Sequence, residues 1–174
     1  PLTDTHALEA MRLIGGNLVQ MIATPQDIAL REKIMLGSMQ AGLAFSNAIL
    51  GAVHAMSHSL GGYLDLPHGM CNAALVEHVV AFNYHSAPER FRMVAEALGL
   101  DVRGLNHEQI RLRLIDHLIA FKQSVGFHDT LKLHGVRVAD IPFLSRHAMQ
   151  DPCILTNPRV SSMRDVEVVY AEAL

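Results

Sequence analysis

The sequence predicts an all-α fold, a single multi-helix bundle of seven to eight helices spanning residues 1–174. Three observations predict it. Apolar residues recur at helical spacing along nearly the whole chain. Ser, Thr, Asp and Asn stand before these runs, several with Pro or Glu/Gln just behind them, as at helix starts. No convincing stretch alternates apolar and polar residues as a half-buried strand does. The composition agrees: aromatics are 5% of residues, Trp is absent and Met numbers nine, which suits cores built from flexible helix formers.

In chain order, Asp4 or Thr5 is expected to cap a first helix with Leu8, Met11, Ile14, Leu18 and Ile22 on its buried face. Thr24 followed by Pro25 reads as an N-cap and first position of a second helix. That helix is expected to bury Ile28, Met35, Met39 and Leu43. Its small residues, Gly37, Ser38, Ala41, Gly42 and Ala44, suggest a close helix crossing. Ser46 and Asn47 are expected to cap a third helix containing His54 and His58 and stopping at Gly61-Gly62. A fourth spans about Met70 to Tyr84. Ser86 to Glu89, with Pro88, opens a short helix ending at Gly99. Asn106 to Gln109 is a capping box for a helix with Ile110, Leu114, Leu118 and Phe121 inward, ending at Gly126. Residues 135–142 are a connector and a short helix follows through Met149. Asp151-Pro152 and Asn157-Pro158 mark an extended loop. Ser162 to Asp165 opens a last helix with Val166, Val169 and Tyr170.

Bulk properties exclude several classes. Half the residues are hydrophobic and 18% charged, which places the chain among folded globular proteins. The net charge of −3 and the lack of a Lys/Arg run give nucleic-acid binding no electrostatic support. No apolar stretch of about 18 residues escapes polar interruption, so no membrane span is expected. Two widely separated cysteines, Cys71 and Cys153, suggest no disulfide framework and a reducing cytoplasm. The chain begins at Pro1 without a basic, apolar leader.

The chemistry concentrates in Gly51–Asn72. Three of the eleven histidines lie there. His54 and His58, four apart, share one helix face. His68 follows in a Pro-His-Gly turn that can fold back onto that face. Small neighbours (Gly51, Ala52, Ala55 and Ser57) leave room for an ion. A divalent-metal site with a histidine left for proton transfer is one reading. The bland one is a hydrogen-bonded core histidine beside a solvated one. His6 either lies exposed in a helix's first turn behind Asp4 as its cap, or is a further ligand with Asp4. The remaining histidines lack ligand-like spacing.

The segment resembles the C-terminal helical domain of the iron-containing (group III) alcohol dehydrogenases. Gly51-Ala-Val-His54-Ala-Met-Ser-His58 and Pro67-His68-Gly69-Met-Cys-Asn72 carry the resemblance. His6-Ala7-Leu8-Glu9 resembles the start of that domain. Asp151-Pro-Cys-Ile-Leu-Thr-Asn157-Pro158-Arg159 resembles a late motif of it, so the similarity spans essentially the whole chain. The resemblance implies His6, His54 and His68 as metal ligands and His58 as a catalytic proton relay. The family's Asp four residues before the first ligand falls at Leu2, which leaves Asp4 as the nearest carboxylate for a fourth position. It also implies Fe2+, with Zn2+ as the alternative, NAD or NADP held by an N-terminal nucleotide-binding domain that this sequence lacks, and an alcohol or aldehyde substrate. A homo-oligomer is expected. Gly15-Gly16 and Gly61-Gly62 lie in helical context and are no phosphate-binding loop. By itself the chain is expected to be an inactive fragment.

Two other readings compete. One is a non-catalytic helical module with structural histidines and an apolar face that pairs with another chain. The other is a metal-dependent hydrolase, for which Asp65 and Glu77 are the nearby carboxylate bases, neither well spaced.

Overall fold

The computed structural model describes residues 2–174. Among them are eight α-helices and no strand: α1 (Leu2–Ala23), α2 (Ile28–Ala48), α3 (Ala52–Leu64), α4 (His68–Asn83), α5 (Pro88–Ala97), α6 (His107–Ser124), α7 (Ile141–Gln150) and α8 (Met163–Glu172). The all-α prediction holds. No single helix among the described residues is long and apolar enough to cross a membrane. The helices group into two compact units, one of residues 2–49 and 88–126, the other of residues 50–87 and 127–174.

The first unit is built on an antiparallel hairpin of α1 and α2. Thr24 does not cap α2: its hydroxyl donates back to the Gln20 carbonyl at 2.8 Å and closes α1. Asp27 caps α2 instead, its side chain accepting from the Leu30 amide at 3.1 Å. Pro25 therefore lies in the turn between the helices.

The expected buried face of α2 is inverted. Ile28, Met35, Met39 and Leu43 are all exposed, whereas Leu30, Gly37 and Ala44 are buried. The close crossing explains why. A Cβ on Gly37 would stand 2.7 Å from Cγ1 of Ile14 and 3.2 Å from Cβ of Leu13. Gly37 faces α1, so Met35, Met39 and Leu43 at the other helical positions point outward. On α1 itself Ile22 is exposed as well. α5 and α6 complete this unit. Both bonds of the predicted Asn106–Gln109 capping box form, at 2.9 Å each, and Ile110 and Leu114 are fully buried.

The second unit has α3 against α4 and α7, with α8 against α4 and α7. Met56, Leu60, Leu75, Leu144, Val166 and Tyr170 lie in its core. The Tyr170 hydroxyl donates to the Met56 carbonyl at 2.8 Å, and burial pushes its pKa up. Four local features differ from expectation. Ser46 and Asn47 start no helix, because α2 runs on through Ala48 and the Asn47 amide donates back to the Leu43 carbonyl at 2.8 Å. α3 passes through Gly61-Gly62 and ends at Asp65 in a left-handed conformation, φ 54°. His68 lies in the first turn of α4 and not in the turn before it. Residues 152–156 are a 3-10 helix in place of extended loop, because Asp151 caps it through the Cys153 amide at 2.8 Å.

Candidate metal centre

α3 begins at Gly51, which has no side chain to cap it. The cap comes from afar. Asn157 Oδ1 accepts from the Ala52 amide at 3.1 Å and from Asn83 Nδ2 at 2.8 Å, and Asn157 Nδ2 donates to Asn83 Oδ1 at 2.7 Å and to the Arg159 carbonyl at 2.7 Å. This buried knot fixes the first turn of α3, which carries His54. At the other end, Pro67 precedes α4 and sets where His68 enters.

His54, His58 and His68 come together. Ring centroids of His54 and His68 are 5.2 Å apart, and His58 stacks on His68 at 5.1 Å with 23° between planes. Asn72 Nδ2 lies 3.4 Å from Nε2 of His54 and 3.1 Å from Nε2 of His68. An amide NH2 can only donate, so both imidazoles aim their Nε2 lone pairs at one point and carry their protons on Nδ1. Burial first, then the neighbouring His68 and His58, pulls the His54 pKa down. His54 is thereby kept neutral, the form that ligates a cation.

His58 is placed differently. Its Nδ1 lies 2.8 Å from Asp151 Oδ2. Burial by itself would raise the Asp151 carboxyl, but the Cys153 amide and His58 together hold it below its ordinary value. An ionised carboxylate accepts only, so Nδ1 of His58 carries a proton, and Nε2 is the ring nitrogen that Asp151 does not engage. Beside this pair opens a cavity of about 520 Å³ lined by His58, Tyr63, Phe143, His147 and Asp151 among others. Tyr63 and Phe143, at 5.0 Å, and Phe143 and His147, at 4.3 Å, make its aromatic wall. The Tyr63 hydroxyl donates to Asp140 at 3.2 Å, and Arg137 holds Asp140 at 2.8 Å.

His6 and Asp4 lie in the other unit, on α1. Nδ1 of His6 donates to Oε1 of Gln40, so Nε2 is the ring nitrogen outside that bond. Asp4 is not brought to His6. α1 is helical from Leu2, so residues two apart point to nearly opposite sides. Asp4 ion-pairs with Arg90 at 2.6 Å, and that bond lowers its pKa.

Other histidines have structural partners: His134 lies 3.0 Å from Asp129, and His117 stacks on Phe121. Sequence reasoning gave no role to Asp151 or Asn72 beyond their places in a motif, and it missed Asn83. Asn83 lies 74 residues from its partner and leaves no local signal.

The family profile described as Fe-containing alcohol dehydrogenase family, C-terminal, matches residues 1–174. The 1,3-propanediol dehydrogenase of Klebsiella pneumoniae is 36% identical over 173 residues, covering 99% of this chain and 45% of that protein. The NAD-dependent methanol dehydrogenase of Bacillus methanolicus is 38% identical over 174 residues, covering 100% and 46%. A crystal structure of 1,3-propanediol oxidoreductase superimposes with a TM-score of 0.97 at 36% identity, covering 100% of this chain and 46% of the other. The chain spans less than half the length of these relatives.

Proposed function

Because the chain belongs to the Fe-containing alcohol dehydrogenase family and corresponds to its C-terminal domain, we propose that it is the metal-binding half of an enzyme that interconverts an alcohol and its aldehyde or ketone with NAD or NADP. The nucleotide is assigned to the part of such an enzyme that lies outside these 174 residues. The alcohol is taken to be small, in line with the propanediol and methanol named for the two relatives. The single observation that carries the reading is the convergence of the His54 and His68 Nε2 atoms on the Asn72 amide.

The donor set fits a divalent ion. Two neutral imidazoles present lone pairs at one point, where an electropositive NH2 group stands. His6, through its family-like His-Ala-Leu-Glu motif, is the proposed third ligand. Asp4 is paired with Arg90 and is not carried forward as a fourth. The nitrogen donors suit Fe2+ or Zn2+, and the family favours iron. When bound, the ion supplies Lewis acidity that favours alkoxide over alcohol.

The chain's own residues do the rest. Asn72 keeps the two ligand rings turned with Nε2 outward. Asp151 keeps the proton of His58 on Nδ1, so Nε2 is the basic atom that takes the alcohol proton. His58 is 44% exposed at its side chain, which lets the proton pass on to water. The aromatic wall of Tyr63 and Phe143 makes the adjoining cavity apolar on one side, as a short alkyl group requires.

Metal analysis of purified variants tests this. His54→Ala and His68→Ala are expected to lose bound iron, His6→Ala to lose most of it, and His58→Ala to retain it. Full occupancy in His68→Ala would sink the assignment.

A further inference from the structure

The proposed alcohol chemistry leaves one donor beside His58 unused. A ring nitrogen of His58, a carboxylate oxygen of Asp151 and Sγ of Cys153 all lie within 4.8 Å of one another. We propose that these three residues form a second cation site, selective for a thiophilic dication such as Zn2+. The inference goes beyond the dehydrogenase reading and does not depend on it.

Three features of the cluster support it. First, it is rigid. Asp151 and Cys153 are two apart at the start of a 3-10 helix, and Asp151 Oδ1 is already clamped by the Cys153 amide at 2.8 Å. The carboxylate and thiol form a preset pincer, and the third donor comes from α3, held to the carboxylate by the 2.8 Å His58–Asp151 bond. Second, the protons balance. The three groups are now held together by shared hydrogens, one on His58 Nδ1 and one on the thiol, which bonds to Asp151. On cation binding the imidazole proton moves from Nδ1 to Nε2 and the thiol proton goes to solvent. A dication with one thiolate, one carboxylate and a neutral imidazole has zero net charge, which suits a half-buried position. Third, the donor types choose the metal. Thiolate, imidazole and carboxylate form a zinc-like set, with water from the adjoining cavity as fourth ligand. The His54–His68 pair offers nitrogen without sulfur.

Burial, aided by the hydrogen bond to Asp151, pushes the Cys153 thiol up to about 11. Binding must displace that proton, so affinity rises with pH. A cation here also takes Nδ1 of His58. On the dehydrogenase reading, zinc would then inhibit by fixing the relay imidazole without displacing the catalytic ion.

Cobalt(II) gives a direct readout, since a Co2+–thiolate bond has a charge-transfer absorption that nitrogen and oxygen ligands lack. Co2+ is titrated into the protein and into its His54→Ala/His68→Ala form, so that the nitrogen site cannot compete. A near-ultraviolet thiolate band should appear in both and should saturate at one equivalent in the double variant, where only this site remains. One equivalent of Zn2+ should abolish it. Cys153→Ser should eliminate the band, and Asp151→Asn should weaken Co2+ binding by more than about tenfold. Cys71, the other cysteine, is buried in the core, and Cys71→Ser should keep the band. Absence of the band from the unmutated protein overturns the proposal. So does a band that survives Cys153→Ser.

Discussion

Asn157 Oδ1 lies 3.1 Å from the backbone nitrogen of Ala52, 105 residues earlier, and so supplies the N-terminal cap that Gly51 cannot. The closeness also accounts for the glycine, since a Cβ at position 51 would stand 3.2 Å from that same oxygen. Asn157→Ala would strand the Ala52 amide and take the partner from both Nδ2 and Oδ1 of Asn83 in the core. The expected cost is about 2–3 kcal/mol, the usual penalty for buried polar groups left unpaired. Urea unfolding measures it. Because the knot sets the first turn of α3, the variant should also bind less metal than its residual folded fraction accounts for.

Two glycines of α2 should respond with opposite signs. Gly37→Ala drives a methyl to 2.7 Å from Ile14 Cγ1 and to 3.2 Å from the less mobile Leu13 Cβ. Overpacking of this kind costs about 1–3 kcal/mol. Gly42 has open space where its Cβ would stand, and Gly42→Ala should stabilise by about 0.5–1 kcal/mol through helix propensity. A matched pair of thermal melts decides both. Equal shifts in the two variants would contradict the close crossing.

These contrasts show what the sequence made legible. Information that is local was readable. The Asn106–Gln109 box lies within a few residues of its partners and forms as expected, and the His54, His58 and His68 rings come together although His68 is delivered by the first turn of α4 and not by a turn before it. The inward face of α2 runs against hydrophobic periodicity, which points to its large apolar residues as core. Backbone contact at Gly37 put the small ones inside. Hydrophobicity says which residues prefer burial, and the crossing decides which can have it. The residues that orient the site were invisible for another reason. Asp151 meets His58 across 93 positions and Asn157 meets Ala52 across 105, and neither pairing has a periodic signature.

Asp140 should give the second unit an acid-sensitive component. The Arg137 guanidinium, then the Arg137 amide, with a contribution from the Tyr63 hydroxyl, holds its carboxyl down to about 2. An unfolded Asp titrates near ~3.9. The folded value is the lower one, so the unfolded chain takes up the proton first. The stabilisation is therefore full above about pH 4 and disappears as the pH falls from there toward 2. Asp140→Asn should melt below the unmutated protein at pH 6, with the gap closing by about pH 2. A gap that persists unchanged at pH 2 would assign the effect to shape and not to charge.

Asn72 offers a test of whether its amide occupies the place of a cation. Its NH2 group bridges the two nitrogens at 3.4 and 3.1 Å, so Asn72→Ala should destabilise chelator-treated protein by about 1 kcal/mol. A metal-loaded form, in which those lone pairs face the ion, should lose less. Added Fe2+ or Zn2+ at a hundredfold excess over Kd stabilises a folded protein by about 2.7 kcal/mol. In Asn72→Ala the increment between chelated and loaded melts should be larger than in the unmutated protein at the same free metal concentration. With Fe2+, His68→Ala should show no increment, and chelation should reverse the effect in every responsive variant. An Asn72→Ala protein whose metal-free and loaded forms lose equal stability would mean that the amide supports the fold and has no relation to the ion.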